Sequence, residues 1–412
     1  YICGATVQSA PHIGHVRSGV NFDILRRWLT KSGYNVTFIR NVTDIDDKIL
    51  QKAAVEKMAW WALAMKYERI FSDAYASLNV LPPTYEPRAT GHITQMIELM
   101  DQLVESGAAY APGNGDVYLE VRKLKRYLTL SRQNLDDLQP AQDADERYKK
   151  DVRDFALWKA AKPGEPSWPT PWGPGRPGWH LECSAMAHAY LGEKFDIHGG
   201  GLDLVFPHHE NERAQSNAVI GHEAVDLWVH GEHLLFEGKK MSKSSGNVVL
   251  VSDIMARGID PLALRLCFLE NRYRSQMDLT WNSINAADET IKRWRTKMSS
   301  WGQSSAVAID SEIESAFEND LDTPKVILRL REIEKSDLGN KRELFLYADQ
   351  VLGLDLDRPI AARELTEQMQ TLLDDRMKAR SEKRWADSDA LRLQLEDLGL
   401  QIKDTADGQS WS

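Results

Sequence analysis

Residues 1–48 read YICGATVQSAPHIGHVRSGVNFDILRRWLTKSGYNVTFIRNVTDIDDK. Tyr1-Ile2-Cys3 is apolar and strand-like, and Gly4 to Gly14 is rich in turn formers. Val20 to Leu29 then carries apolar residues at helical spacing, and Ser32-Gly33 ends that run. Tyr34 to Arg40 is β-branched and aromatic, the composition of a strand. Strand, helix and strand in this order predict a parallel sheet with its ligand at the carboxyl ends of the strands. The sequence opens without Met and already inside a strand, so a preceding segment is expected.

Further along, residues 59–80 and 90–107 read as helices. Between Pro112 and Pro177 the texture changes: a short strand, Asp116 to Val121, precedes a polar stretch and then a run dense in Pro, Gly and Trp. It reads as an insertion in the sheet domain, with a linker as the alternative. The α/β texture returns at Trp179 and lasts to about residue 238. Beyond residue 285 the spacing is helical, as in Ile327, Leu330, Ile333 and Glu334, and Leu365 to Leu398 is helical and highly charged.

A chain of 412 residues exceeds what one core usually serves, so several domains are expected. No apolar run approaches the roughly 20 residues that span a bilayer, so no membrane association is expected. The three cysteines, Cys3, Cys183 and Cys267, cannot form a disulfide framework, which points to a reducing compartment, the cytoplasm. A net charge of −10 counts mildly against a nucleic-acid partner without excluding one, since phosphates respond to local patches.

Two short motifs suggest phosphate chemistry. His12 and His15, three apart where a turn feeds a helix, add imidazole donors to the backbone N–H groups and dipole of a helix start. Such donors favour a phosphate gaining charge in a transition state, and Gly14 between them leaves room for a flat base. Lys240-Met241-Ser242-Lys243-Ser244, followed by Ser245-Gly246-Asn247, suits a loop whose two lysines meet a departing pyrophosphate. A third pattern suggests a metal. His208 and Glu212 are four apart and share a helix face, with Cys183 and Cys3 on separate segments. Two thiolates, an imidazole and a carboxylate suit zinc. His209, three before Glu212, competes with His208, and spacing alone does not choose.

Taken together, the two phosphate motifs resemble the signature sequences of class I aminoacyl-tRNA synthetases. The resemblance narrows to the cysteinyl-tRNA synthetase family at residues 1–7, 40–48 and 178–186, and at Phe195 to Leu204 continuing through Phe206 to Glu212. It is weakest over residues 122–150 and 296–340, and Ala5 stands where many members have Pro.

The resemblance implies an α/β architecture: a Rossmann-type catalytic domain in two halves, residues 1–110 and 178–238, around a connective insertion, 111–177. A stem-contact region, 239–285, a helical bundle, 286–357, and a small anticodon-binding region, 358–412, would follow. It implies activation of L-cysteine by ATP, transfer to the terminal adenosine of tRNA(Cys), and a monomer. One zinc ion would be held by Cys3, Cys183, His208 and Glu212, and magnesium would accompany ATP. His12, His15, Lys240 and Lys243 would be catalytic, joined around ATP by Gly14, Gly200, Gly201 and Asp203. Trp179, Thr6 and Thr43 would meet cysteine, and His180 and His198 would complete a histidine cluster beneath the metal.

A metal in the substrate site has a chemical reason. Cysteine and serine differ by one atom, and pocket shape rejects such an analogue by only ~10²-fold. A soft thiolate binds zinc strongly and a neutral hydroxyl hardly at all.

The C-terminal third bears on the acceptor. Ile291 to Lys297 interleaves basic residues with Trp294, a combination suited to phosphates and bases, and Arg376 to Arg384 holds five basic residues among nine. Asp404 to Trp411 also resembles the family's C-terminus. Two rival readings remain. One is the mycothiol-pathway cysteine ligase, which joins cysteine to an amino sugar–inositol and lacks most of this region. The other is a non-catalytic zinc-containing nucleic-acid-binding module.

Overall fold

A computed structural model of the chain describes residues 1–141, 146–241, 246–304, 309–359, 365–398, 400, 402–405 and 408–411. Lys243, with Ser242 and Ser244, lies outside the described residues, as do Ala406 and Asp407. Two compact units are present, residues 1–357 and 358–412.

In the first unit, helices α1 (Ile13–Lys31), α2 (Asp47–Glu56), α3 (Trp60–Ser77) and α4 (Ile93–Glu105) precede four antiparallel strands. These are β1 (Ala109–Tyr110), β2 (Val117–Leu119), β3 (Phe155–Ala160) and β4 (Gly175–Pro177). They belong to the insertion and its edge, and they pair in sequence order. Helix α5 (Trp179–Leu191), strand β5 (Phe195–Gly201), helix α6 (Glu210–Ile220) and strand β6 (Val225–Gly231) restore the α/β alternation. The parallel sheet runs across the unit in the order 85–88, 39–43, 1–3, β5, β6. Its links are bridges from Tyr85 to Ile39, Arg88 to Val42, Arg40 to Ile2 and Ile2 to Gly199, and then the β5–β6 ladder. Helix α1 packs so closely on this sheet that a Cβ at Gly199 would lie 2.4 Å from the Phe22 ring.

Two expectations need correction. The strand expected over Tyr34 to Arg40 pairs only from Ile39 onward and continues through Val42 and Thr43. Residues 32–35 are exposed and carry the chain from α1 back to the sheet. Gly200 and Gly201, expected around ATP and read from a sequence in which Phe195 to His198 makes a strand and the glycines a following turn, lie within β5 itself, because β6 offers paired partners as far as Gly231.

Strands β7 (Leu234–Phe236), β8 (Lys239–Lys240) and β9 (Met277–Leu279) form a small sheet, with helices α7 (Val251–Ala256) and α8 (Pro261–Leu269) between the last two. Helices α9 (Trp281–Ser300), α10 (Ser311–Glu318), α11 (Thr323–Lys335) and α12 (Lys341–Leu352) follow. One continuous core joins Ile13, Val16, Val20 and Ile24 of α1 to Leu264, Ile291, Trp294, Leu330 and Phe345. The second unit holds α13 (Glu367–Ser381), α14 (Trp385–Asp397) and the hairpin β10 (Ile402–Thr405) and β11 (Gly408–Trp411). Its separate core is Met369, Leu373, Leu395, Leu400 and Ile402.

Candidate active site and metal centre

At the start of α1 the two histidines close the helix themselves. His12 is the N-cap, and its Nδ1 accepts from the Gly14 N–H at 3.1 Å, while the His12 N–H donates to His15 Nδ1 at 3.2 Å. The rings stack with centroids 3.7 Å apart. A ring nitrogen that accepts a backbone N–H carries no proton, so each neutral imidazole keeps its proton on Nε2. The cap thus fixes the tautomer and leaves two Nε2–H donors beside the positive end of the helix. Gly14 is needed here, since a Cβ would come within 3.0 Å of the His12 ring.

At the carboxyl ends of the central strands, Cys3, Cys183, His208 and Glu212 each place a ligand atom within 4.8 Å of the others. Cys3 Sγ stands 3.9 Å from Cys183 Sγ and 3.2 Å from Glu212 Oε1, and His208 Nε2 lies 3.0 Å from that same oxygen. Both cysteines are free. A second set, Cys3, His198, His209 and Glu212, meets the same distance criterion. The outer contacts separate the two. Glu212 Oε2 is 2.9 Å from His198 Nε2, His180 Nδ1 is 2.9 Å from His208 Nδ1, and His209 Nδ1 is 2.8 Å from His230 Nε2. Cys3, Cys183 and His208 line the cleft described below, whereas His198 and His209 do not. The expected histidine cluster is therefore present, with His180 and His198 buried beneath the first set.

The electrostatics suit a cation. Burial resists charge on His208, yet Glu212 and Cys183 outweigh it and hold the imidazole up to about 10. Burial likewise opposes a thiolate at Cys183, but hydrogen bonding from Cys3 and the His208 charge bring it down to about 7. Burial is the strongest influence on Glu212 and opposes its charge, yet His198 and His208 together hold it well below the carboxylate range. A soft divalent ion bound among these groups would compete with their protons.

A cleft of about 490 Å³ joins the two clusters. Of the residues expected around ATP, His12, Gly14, His15, Gly201, Asp203 and Lys240 line it; of those expected around cysteine, Thr6, Thr43 and Trp179 do. Trp179 stacks on His208 with centroids 4.3 Å apart. Two expected residues stand back. Glu212 is buried behind the cysteines, and Gly200 makes room for Leu204 and His209, the Leu204 side chain lying 2.7 Å from where its Cβ would be.

Sequence reading missed Arg17. Its buried guanidinium donates to the carbonyls of Glu232, His233 and Ser275 at 2.7–2.8 Å, tying α1 to the loops that form the cleft's far wall. The signal was a lone cation inside the apolar helical stripe Ile13, Val16, Val20.

The basic run on α9 lies against acidic side chains. Arg293 and Lys297 pair with Glu334 at 2.9 and 2.8 Å, Lys292 pairs with Asp288, and Arg295 pairs with Asp260. Trp294 is fully buried and donates to Glu334. In the second unit Arg376 is also buried, donating to Gln409 and Asp404, while Trp385 stays exposed.

A family model described as the tRNA synthetases class I (C) catalytic domain matches residues 1–289. The chain belongs to that family. A model for the cysteinyl-tRNA ligase anticodon binding domain matches residues 362–411 of this class I chain. The chain is 48% identical over 445 residues to the cysteine--tRNA ligase of Streptomyces coelicolor, covering 100% of itself and 71% of that protein. It is 47% identical over 441 residues to the cysteine--tRNA ligase of Streptomyces griseus, covering 94% of it. Among solved structures, Mycobacterium tuberculosis methionyl-tRNA synthetase in complex with methionyl-adenylate superposes with a TM-score of 0.59 at 15% identity. That likeness covers 86% of this chain and 89% of the other and concerns the fold. Among the described residues no helix is long and apolar enough to cross a membrane.

Proposed function

We propose that this class I chain activates the carboxylate of L-cysteine with ATP and transfers it to the terminal adenosine of tRNA(Cys). One observation carries the reading: a single cleft holds the Cys3, Cys183, His208 cluster at one end and His12, His15 and Lys240 at the other. A soft-metal site fits recognition of a thiol, and a capped helix start with two Nε2–H donors fits a polyphosphate. The match to an anticodon-binding model over residues 362–411 favours tRNA over an amino sugar–inositol acceptor. The phosphate-binding half of the cleft has no part in a purely nucleic-acid-binding module.

The donor set fits zinc, with Cys3, Cys183, His208 and Glu212 as ligands, His208 rather than His209 because it alone of the two faces the cleft. When bound, zinc would hold a thiolate and discriminate against serine's hydroxyl. In the first step a carboxylate oxygen of cysteine attacks the α-phosphorus of ATP, and the bond to pyrophosphate breaks. His12 and His15 donate to the developing charge through Nε2, joined by Lys240 and by Lys243 from outside the described residues. Magnesium accompanies the nucleotide. Asp203 beside Gly201 receives ribose hydroxyls, and Thr6, Thr43 and Trp179 enclose the amino acid. In the second step the terminal ribose hydroxyl attacks the carbonyl carbon of the adenylate and AMP leaves.

The test is cysteine-dependent ATP–pyrophosphate exchange, followed by tRNA(Cys) and the amino sugar–inositol as competing acceptors. Exchange with cysteine and not serine, then transfer to tRNA, is expected; transfer to the sugar alone would overturn the acceptor.

A further inference from the structure

The segment Asp44-Ile45-Asp46-Asp47-Lys48 places three carboxylates within four residues of one ammonium, yet none pairs with it. Asp44 accepts from the Thr90 N–H at 2.9 Å and from its hydroxyl at 2.5 Å. Asp46 caps α2 by accepting from the Lys48 N–H at 2.8 Å. Asp47 pairs with Lys159 at 2.9 Å and with Arg176. Lys48 is exposed, lines the cleft, and has no side-chain partner among the described residues.

Its place in the sheet narrows what it serves. Lys48 and Thr43 line the cleft from the 39–43 strand and the turn after it, whereas His233 and Lys240 line it from the chain after β6, with the 1–3 strand and β5 between the two in the sheet. The triphosphate has its donors at His12, His15 and Lys240. Cysteine's own carboxylate loses its charge when the adenylate forms. The anion still to arrive is the acceptor strand, which must bring a ribose hydroxyl to the carbonyl carbon and a phosphate one nucleotide behind it.

We propose that Lys48 binds the phosphate preceding the terminal adenosine of the acceptor RNA and so positions the strand for transfer; this rests on the proposed function above. In that step the ester C–O bond forms, the carbonyl C–O bond to the adenylate phosphate breaks, and the hydroxyl proton passes to departing AMP. Lys48 supplies a point charge and no proton.

The experiment compares wild type, Lys48→Met and Lys48→Arg in cysteine-dependent pyrophosphate exchange and in single-turnover transfer to tRNA(Cys) over a range of salt. Exchange should stay within about twofold, while half-saturating tRNA rises about tenfold and the salt slope of tRNA affinity falls by about 1 in Lys48→Met. Lys48→Arg should restore both. An equal loss in exchange and transfer would overturn the proposal by assigning Lys48 to ATP or cysteine, and so would transfer with unchanged affinity and salt slope. Wild-type protein without cysteine-dependent exchange would instead overturn the activity on which the proposal stands.

Discussion

His12 and His15 show how one side chain can hold a backbone and serve a substrate together. Each spends Nδ1 on the helix start, which leaves the proton of the neutral ring on Nε2. The sequence showed the pair and its direction, but not the tautomer, which depends on backbone N–H groups that only the folded turn supplies. Lysines at the phosphate end of the site should behave more simply. Lys240→Ala and Lys243→Ala should each lower the kcat of exchange by roughly 10²-fold while cysteine binding persists, and unchanged exchange would remove them from the phosphate site. At the metal end, Cys183→Ser should lose zinc, read as metal content per chain by elemental analysis. Full occupancy in that variant would refute the ligand set. His208 and His209 could not be separated by spacing, because both lie within reach of Glu212; the fold separates them by their second nitrogens, facing His180 and His230, and by the cleft, which only His208 of the two lines.

At the level of elements, helices with strong apolar spacing were legible, as on α11, where Ile327, Leu330, Ile333 and Glu334 are all buried. The parallel strands were less so. Pairing at residues 1–3 and 39–43 amounts to isolated bridges, and a β-branched run such as Tyr34 to Thr37 cannot tell whether a neighbour exists. The α9 basic run was only half legible for a related reason: charge pattern shows which groups are cationic, not which acids lie across a helix interface. Glu334 is that acid. Burial works against its charge, but Lys297, Arg293 and the Trp294 N–H outweigh it and hold its pKa at about 2 against an ordinary 4.5. A depressed carboxylate contributes stability above the unfolded value and loses it as pH falls through the folded one. The α9–α11 contact should therefore weaken between pH 4.5 and 2. Urea midpoints of wild type and Glu334→Gln should differ most at neutral pH and converge towards pH 2, and a gap independent of pH would count against this account.

Across the first unit, α1 and α8 are tied by a buried ion pair, and a bond to a carbonyl extends the tie to α12. Arg265 donates to Asp23 at 2.6 Å and to the carbonyls of Leu352 and Leu78, while Asp23 also receives Arg27 and the Leu81 N–H. Asp23→Ala should destabilise this unit by about 3–5 kcal/mol, because it strands a buried guanidinium without its counter-charge; a loss below about 1 kcal/mol in urea unfolding would show that the carbonyls suffice. Neither Asp23 nor Arg265 stood out in the sequence, since each finds its partner 242 positions away. The core that accompanies this pair runs without a break from Val16 to Phe345. Heat should not melt α9–α12 and spare the cleft, so Trp294 and Trp301 become natural reporters for it. An adenylate analogue seated at the histidines should raise the temperature at which their fluorescence changes, although neither indole touches the ligand.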